Sequence, residues 1–184
     1  MTGRIIVMSG PSGSGKTSII RKLLERLDIL FSVSATTRPP RPGETQGVDY
    51  YFVTTEEFEE MITRDALLEW AIYSGNHYGT PSDPIETETA AGRDVLLDIE
   101  IKGARQVRAQ RPDALMIFVT PPSTEVLEQR LRSRGDTSSQ DIASRLMIAE
   151  SQLKEAPSLF DHIVVNEVLE HAVDEVANLI IDSR

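Results

Sequence analysis

Apolar residues follow two different spacings along the chain, and each spacing predicts one kind of secondary structure. Short runs of consecutive apolar residues, several of them β-branched, are typical of buried strands; they occur at 4–9, 94–100, 114–120 and 161–166. Apolar residues three and four positions apart are typical of amphipathic helices; this spacing occurs at 17–27, 55–63, 123–134, 139–156 and from Leu169 to Ile180. Strands of this type alternating with helices predict an α/β fold, in which helices cover both faces of a parallel sheet.

Two parts of the chain depart from this regular alternation. Residues 34–80 are rich in proline, glycine and tyrosine and contain short strands, such as the one predicted at 50–53. Residues 134–140, RGDTSSQ, form a polar run that interrupts the helical spacing. Because ligand contacts concentrate in the irregular segments of a regular scaffold, we expect binding residues in both parts.

Composition indicates a compact soluble domain. The 184 residues are typical of a single domain, and 40% of them are hydrophobic, which is enough for a substantial core. No apolar run approaches the roughly 20 residues that a membrane helix needs, and the first residues lack a signal-peptide pattern. The absence of cysteine excludes disulfides and thiolate metal sites. We therefore expect a cytoplasmic protein without membrane contact.

The chain carries a formal net charge of -10 at pH 7. This charge argues against a broad nucleic-acid-binding surface, which needs clustered positive residues to neutralise phosphates. Any anionic ligand must therefore be held by a local group of basic residues.

The stretch GPSGSGKT is suited to holding the phosphate tail of a nucleotide. It fits the pattern G-x-x-x-x-G-K-[ST], and a predicted strand precedes it and a predicted helix follows it. In this pattern the glycines let backbone N–H groups form a nest for phosphate oxygens, and the helix N-terminus adds positive potential. Lys16 would reach the β- and γ-phosphates, and the Thr17 hydroxyl would ligate Mg²⁺. We predict an ATP site formed by Gly10, Pro11, Ser12, Gly13, Ser14, Gly15, Lys16 and Thr17.

The sequence favours a small-molecule kinase among the proteins that have such a loop. It lacks the NKxD element with which GTPases read their base, and a large motor or transporter ATPase would need a longer chain. A kinase of this type needs a second phosphate site, and SVSATTRPPRPGE at 32–44 supplies the required basic group. Arg38 and Arg41 bracket two prolines that stiffen the loop, and two guanidinium groups held close together suit a phosphate dianion.

Together with these two stretches, GVDYYFV, LLEWAIYSGNHYGT, LDIEIKGARQV and RLRSRG follow one another as they do in guanylate kinases. The chain resembles that family over essentially its whole length. The resemblance implies a three-layer P-loop kinase fold with a parallel sheet core, which transfers the γ-phosphoryl group of ATP to GMP, and also to dGMP. It implies a core formed by 1–33, 81–124 and 146–184, a GMP-binding region at 34–80 and a mobile lid at about 125–145.

The resemblance also implies which residues bind GMP. The phosphate would be held by two arginines and two tyrosines, which match Arg38, Arg41, Tyr50 and Tyr78, and guanine would be read by residues that match Ser34, Glu69 and Thr80. The chemistry suits guanine, because one carboxylate can accept hydrogen bonds from its adjacent N1–H and N2 amine, whereas adenine presents an acceptor at N1. A site built to pair polar groups discriminates strongly, because the wrong base leaves them unpaired.

Further roles follow from the resemblance in the same way. Asp98 and Glu100 match acidic residues near GMP, and Asp98 together with Thr17 would contact the metal. The family usually has aspartate at the position of Glu100 and glutamine at that of Lys102. The charge that stabilises phosphoryl transfer would come from Lys16, Arg41, Arg134 and Arg145, the last two belonging to the lid. Asn166 would lie on the adenine side of ATP.

Two other functions remain possible at this point. Guanylate-kinase-like domains in scaffold proteins bind peptides without catalysis, but they have typically lost the phosphate loop, whereas Lys16 and Thr17 are intact here. A kinase of this fold could also act on another phosphorylated acceptor. We expect GMP or dGMP and ATP as the ligands, Mg²⁺ as the cofactor and no obligate protein partner.

Overall fold

The structure is a computed structural model, which describes residues 2–73, 75–133 and 139–183. Its strands are β1 (Ile5–Ser9), β2 (Ile29–Phe31), β3 (Ala35–Thr36), β4 (Tyr51–Phe52), β5 (Leu67–Tyr73), β6 (Asn76–Pro81), β7 (Asp94–Asp98), β8 (Leu115–Thr120) and β9 (His162–Val165). Its helices are α1 (Lys16–Arg26), α2 (Thr55–Thr63), α3 (Ser82–Ala90), α4 (Ile101–Gln110), α5 (Thr124–Ser133), α6 (Ser139–Leu159) and α7 (Leu169–Asp182).

Five of these strands form a parallel sheet in the order β2-β7-β1-β8-β9. Every residue of β1 and of β8 is buried, as is expected for strands that have helices on both faces. The register pairs Ile6 with Leu115 and Ile117 with His162. The predicted α/β fold with a parallel sheet at its core is confirmed, and the predicted buried strands lie within a few residues of β1, β7, β8 and β9.

Contacts divide the chain into two compact units. The first consists of Met1–Ile5, Ile29–Leu97 and Lys102–Ala114, and the second of Ile6–Asp28, Asp98–Ile101 and Leu115–Arg184. The predicted division into a core, a region at 34–80 and a lid is a different one, and it stays a prediction.

The first unit contains a small sheet with strand order β4-β3-β6-β5. β5 and β6 form an antiparallel hairpin, and α2 packs against this sheet. Phe58 of α2 is fully buried against Ala35 and Leu67 and contacts the His77 ring at 5.2 Å between centroids. α2 begins with a capping box in which the side chains of Thr54 and Glu57 each accept a backbone N–H.

The apolar spacing predicts neither α3 nor α4. Ile85 is the only buried residue of α3, so this helix has too few apolar positions for its period to be recognised. α4 carries charged residues, two glutamines and Gly103 along its length, and glycine weakens any helix prediction. α6 is longer than its predicted range and continues through Pro157 to Leu159.

The second unit is organised around β1, β8 and β9. The buried face of α7 consists of Ala172, Val173, Val176 and Ile180, in agreement with the predicted apolar spacing. None of the helices in the described ranges is long and apolar enough to cross a membrane.

We expect Phe58→Ala to lower the free energy of unfolding by about 3–5 kcal/mol, because it leaves a cavity in the core of the first unit. Urea denaturation measures this change. Phe31→Ala is the matched control, since Phe31 is 38% exposed, and it should cost less than about 1 kcal/mol. Equal losses for the two variants would contradict the assignment of Phe58 to the core.

Candidate functional site

The loop between β1 and α1 forms the phosphate cradle, which we define as residues 10–17. Gly13 and Gly15 have φ angles of 92° and 88°, a left-handed conformation that favours glycine. α1 begins at Lys16 without a side-chain cap and has no acidic residue in its first turn. Its first N–H groups and its positive dipole end therefore remain available to an anion.

Two side chains brace the cradle at the carbonyl of Ser14. The buried amide of Asn166 donates from Nδ2 to this oxygen at 2.7 Å, and Arg130 donates to it at 3.4 Å. Arg130 also donates to the carbonyl of Asn166 at 2.9 Å. A Cβ atom on Gly15 would collide with Asn166 Nδ2, so glycine is required at this position for its missing side chain as well as for its φ angle.

Arg130 is a site residue that the sequence analysis does not predict. It belongs to the stretch RLRSRG, where only its neighbour Arg134 is assigned a role. An open pocket of about 360 Å³ adjoins this part of the cradle; it is lined by Gly13, Gly15, Ser18, Arg130, Ser133, Asn166, Glu167 and Leu169. Asn166 thus contacts the cradle and lines this pocket, while its role on the adenine side of ATP stays a prediction.

Charged side chains also meet at the cradle. Lys16 Nζ forms an ion pair with Asp98 Oδ1 at the end of β7, so two predicted site residues lie together. Arg145 of α6 donates from Nη1 to Ser12 Oγ at 3.2 Å, which brings a third predicted site residue beside the same loop.

Two other predicted residues of this region are exposed. Thr17 lies in the first turn of α1, and Glu100 lies just after β7. Arg134 lies outside the described residues.

In the first unit, Glu44 organises the arginine–proline loop at 38–44. Arg38 donates to both carboxylate oxygens of Glu44, at 3.0 and 2.9 Å, and the Arg41 backbone N–H donates to Oε2 at 2.7 Å. The hydrogen bonds from Arg38 and then from Arg41 lower the pKa of Glu44 below its ordinary value. Glu44 therefore holds the side chain of Arg38 and the backbone of Arg41, although no local pattern in the sequence indicates this role.

Arg38 also lies against the two predicted tyrosines. Its guanidinium carbon is 5.4 Å from the centroid of the Tyr50 ring, and Tyr50 packs edge-on against Tyr78 with centroids 6.1 Å apart. The pKa of Arg38 is raised, first by Glu44 and to a smaller extent by Tyr78. Three of the four predicted phosphate ligands therefore form one cluster, while Arg41 has an exposed side chain on the same loop.

A carboxylate and a hydroxyl are buried together on the β5–β6 hairpin. Glu69 and Thr80 are paired residues of the two strands, and they are 6% and 0% exposed. Thr80 Oγ1 donates to Glu69 Oε1 at 2.5 Å. A buried carboxylate is costly unless hydrogen bonds satisfy it, and a ligand with two adjacent donors is well suited to provide them. Ser34, the third predicted base-reading residue, is half-buried just before β3.

Known proteins of similar sequence share one description. A family model described as Guanylate kinase matches residues 2–183. The chain is 51% identical over 179 residues to a guanylate kinase of Synechococcus sp. (strain JA-3-3Ab), which covers 97% of this chain and 82% of the relative. It is 48% identical over 184 residues to a guanylate kinase of Thermus thermophilus, covering 100% of this chain and 82% of the relative.

A solved structure is similar as well. The crystal structure of guanylate kinase from Anaplasma phagocytophilum superposes with a TM-score of 0.81 at 34% sequence identity, and the match covers 98% of this chain and 86% of that chain.

The lowered pKa of Glu44 makes its contribution to stability depend on pH. This contribution is present above the ordinary value of 4.5 and is lost as the pH falls through the lower pKa of the folded state. Glu44→Gln should therefore destabilise the protein at pH 7, and the difference from wild type should shrink below pH 4.5. Urea denaturation from pH 7 to 3.5 measures it. Glu59→Gln on the exposed face of α2 is the control; a pH-independent deficit for Glu44→Gln would contradict the ionic pairing.

Proposed function

The chain belongs to the guanylate kinase family and transfers the γ-phosphoryl group of ATP to GMP, giving ADP and GDP, and we propose that the cradle and the Arg38–Thr80 region are its donor and acceptor sites. The observation that carries this assignment is the buried Glu69–Thr80 pair, because it supplies the acceptor that guanine requires. A non-catalytic peptide-binding module is not favoured, since Lys16 and Thr17 are intact.

The donor site would bind ATP through backbone groups first. The N–H groups of residues 10–17 and the N-terminus of α1 provide positive potential without any charged side chain. Lys16 adds a full charge for the β- and γ-phosphates. Asn166 and Arg130 hold the Ser14 carbonyl and thereby keep the loop in its curled form. The pocket beside Asn166 is suited to the adenosine part of ATP.

Mg²⁺ would accompany ATP at this site, with Thr17 and Asp98 as the fitting residues. The ion prefers oxygen ligands and is usually held by one or two carboxylates together with phosphates. Within the described part of the chain, no group of three or more His, Cys, Asp or Glu residues is arranged to hold a metal ion. When bound, Mg²⁺ would neutralise part of the charge on the β- and γ-phosphates.

The acceptor phosphate would be held by Arg38, Arg41, Tyr50 and Tyr78. Arg38 is already positioned by Glu44 and by the Tyr50 ring, so little side-chain entropy is lost when GMP binds. Arg41 would supply the second guanidinium group from the exposed side of the loop. Two guanidinium groups and two phenolic hydroxyls satisfy the oxygens of a phosphate dianion.

Guanine would be recognised by the carboxylate of Glu69. It can accept hydrogen bonds from both N1–H and the N2 amine of guanine, while Thr80 keeps it oriented through the 2.5 Å hydrogen bond. Ser34 would add a further polar contact. Adenine presents an acceptor at N1, which would face a carboxylate oxygen and be repelled by it, and this would favour GMP over AMP. GMP and dGMP carry the same base and differ only in the sugar, so dGMP would fit the same site.

Alignment and positive charge would provide the catalysis. A GMP phosphate oxygen attacks the γ-phosphorus, and the bond from that phosphorus to the β–γ bridging oxygen breaks with both electrons going to ADP. The attacking oxygen is already ionised near neutral pH, so no general base is required. Lys16, Arg41 and Arg145 would stabilise the charge of the transferring group, and Arg134 is expected to assist them.

The remaining parts of the expected organisation are proposals of the same kind. A lid at about 125–145 would close over bound nucleotides and exclude water, which otherwise competes for the phosphoryl group. The core, the GMP-binding region at 34–80, the cytoplasmic location and the expected absence of a nucleic-acid or obligate protein partner also stay predictions.

The proposed base recognition is tested with a panel of acceptors and one substitution. With ATP and Mg²⁺, a coupled ADP assay should detect turnover of GMP and dGMP and far less with AMP, dTMP or sugar phosphates. Glu69→Gln should raise the KM for GMP by about 10- to 100-fold, because an amide cannot accept both guanine donors. Glu59→Gln makes the same chemical change on α2 and serves as the control. An unaltered preference for GMP over AMP in Glu69→Gln would contradict the proposal.

The proposed bracing of the donor site is tested at Asn166. Asn166→Ala and Asn166→Asp both remove the N–H donor to the Ser14 carbonyl, and the aspartate keeps the shape of the side chain. Each should raise the KM for ATP by about 10-fold and change the KM for GMP by less than about 2-fold, because the loss of one hydrogen bond acts on the cradle alone. Initial rates at varied ATP and GMP measure both constants. Normal ATP kinetics in Asn166→Asp would exclude this role.

A further inference from the structure

One face of α4 lies along the strand that carries Glu69. Gly103, Gln106 and Gln110 are separated by three and four positions, so they lie on the same side of the helix. β5 is an edge strand of the small sheet, and its Glu69 backbone pairs with Thr80 of β6. Because alternate residues of a strand point their backbone groups to opposite sides, those of Leu68 and Trp70 point away from β6.

The two glutamines of α4 pair with these backbone groups. Gln106 accepts the Trp70 N–H at Oε1, at 3.2 Å, and donates from Nε2 to the Trp70 carbonyl at 2.7 Å. Gln110 donates from Nε2 to the Leu68 carbonyl at 2.9 Å. Three hydrogen bonds therefore attach α4 to β5 on either side of Glu69.

With α4 attached to β5 in this way, the Glu69 side chain occupies the space that a side chain at position 103 would need. A Cβ atom built on Gly103 would overlap Glu69 Oε2 and would lie 2.7 Å from Cδ and 3.2 Å from Cγ. Gly103 has a helical backbone without a positive φ angle, so its conformation does not explain the glycine. Glycine is also unfavourable inside a helix. We therefore attribute the glycine at this position to the space that its missing side chain leaves for Glu69.

We propose that Gly103 is a specificity-determining positioning residue, whose missing side chain makes room for the guanine-reading carboxylate of Glu69. This inference rests on the proposed role of Glu69 in GMP recognition. It adds that the position of the carboxylate is set from the helix side by Gly103 and from the strand side by Thr80.

A methyl group at position 103 should displace the carboxylate rather than the helix. α4 is attached to β5 by Gln106 and Gln110, whereas the end of the Glu69 side chain can rotate. Rotation would break the hydrogen bond from Thr80 and turn Oε2 away from its present position. The fold would survive, because alanine is more favourable than glycine in a helix, while the alignment with the N1–H and N2 donors of guanine would be lost.

The test is a double-substitution cycle with wild type, Gly103→Ala, Glu69→Ala and the double variant. Calorimetric titration gives the Kd for GMP, for inosine monophosphate, which lacks the N2 amine, and for ATP, and thermal melting gives the Tm. Gly103→Ala should raise the Kd for GMP by about 10- to 100-fold, as expected when hydrogen bonds to a charged group are lost. It should bring the GMP and inosine monophosphate affinities closer together. The Kd for ATP should be unchanged, and the variant should still unfold in a single cooperative transition.

The cycle identifies the residue through which Gly103 acts. If it acts through Glu69, Gly103→Ala should have no further effect on GMP binding in the Glu69→Ala background. An unchanged Kd for GMP in Gly103→Ala, or an equal loss in both backgrounds, would overturn the inference. Normal GMP binding by Glu69→Ala would instead refute the proposed role of Glu69, and the inference with it. If Gly103→Ala is too unstable to titrate, recovery of its Tm by Glu69→Ala supports the clash, and no recovery refutes it.

Gln110→Ala is the control for loosening of α4. It removes the hydrogen bond to the Leu68 carbonyl and adds no atom near Glu69. It should lower the Tm while keeping the ratio of GMP to inosine monophosphate affinities within about 2-fold of wild type. If Gln110→Ala reduces the ratio of GMP to inosine monophosphate affinities as much as Gly103→Ala does, general loosening of α4 explains the weaker GMP binding and the inference is wrong.

Discussion

Much of this structure depends on keeping one glycine-rich loop in a single conformation. A phosphate nest requires successive N–H groups to point inward, and the matching left-handed conformation of Gly13 and Gly15 is one of several that a flexible glycine can adopt. The buried amide of Asn166 and the guanidinium of Arg130 converge on the Ser14 carbonyl, and they arrive from the end of β9 and from α5. The parallel sheet therefore supports the loop, because it brings α5 and the end of β9, which are distant in the chain, to the Ser14 carbonyl.

An acidic chain must also provide positive charge for two phosphorylated substrates. Two of the basic residues that we propose for this role are paired with carboxylates, Lys16 with Asp98 and Arg38 with Glu44. In both pairs the side chains are less than a third exposed, so each cation has a defined place before a nucleotide binds. In the proposed sites, a cation that is already held in place would cost less to engage than a long, solvated side chain that must first be ordered.

The parts of the molecule that were predictable from the sequence have local causes. β1, the cradle and α1 follow from an apolar run, a glycine pattern and a helical period that are adjacent in the chain. The proposed role of Glu69 follows from family resemblance alone, because an acidic residue beside Trp70 has no local feature that indicates burial. α4 was missed because its inward face bears glutamines, whose hydrogen bonds go to residues 36 and 42 positions away in the chain. Glu44 and Arg130 were missed because their partners become evident only when the loops are folded.

The glutamines of α4 have a consequence beyond the binding of nucleotides. An edge strand with unpaired N–H and C=O groups is a template on which another polypeptide can add a strand, and this is a common start of aggregation. Gln106 presents one acceptor and one donor to Trp70 in the manner of a neighbouring strand, and thus occupies the hydrogen-bonding positions that an intruding chain would use. Because α4 lies along β5, it also protects this stretch of the hairpin edge from self-association.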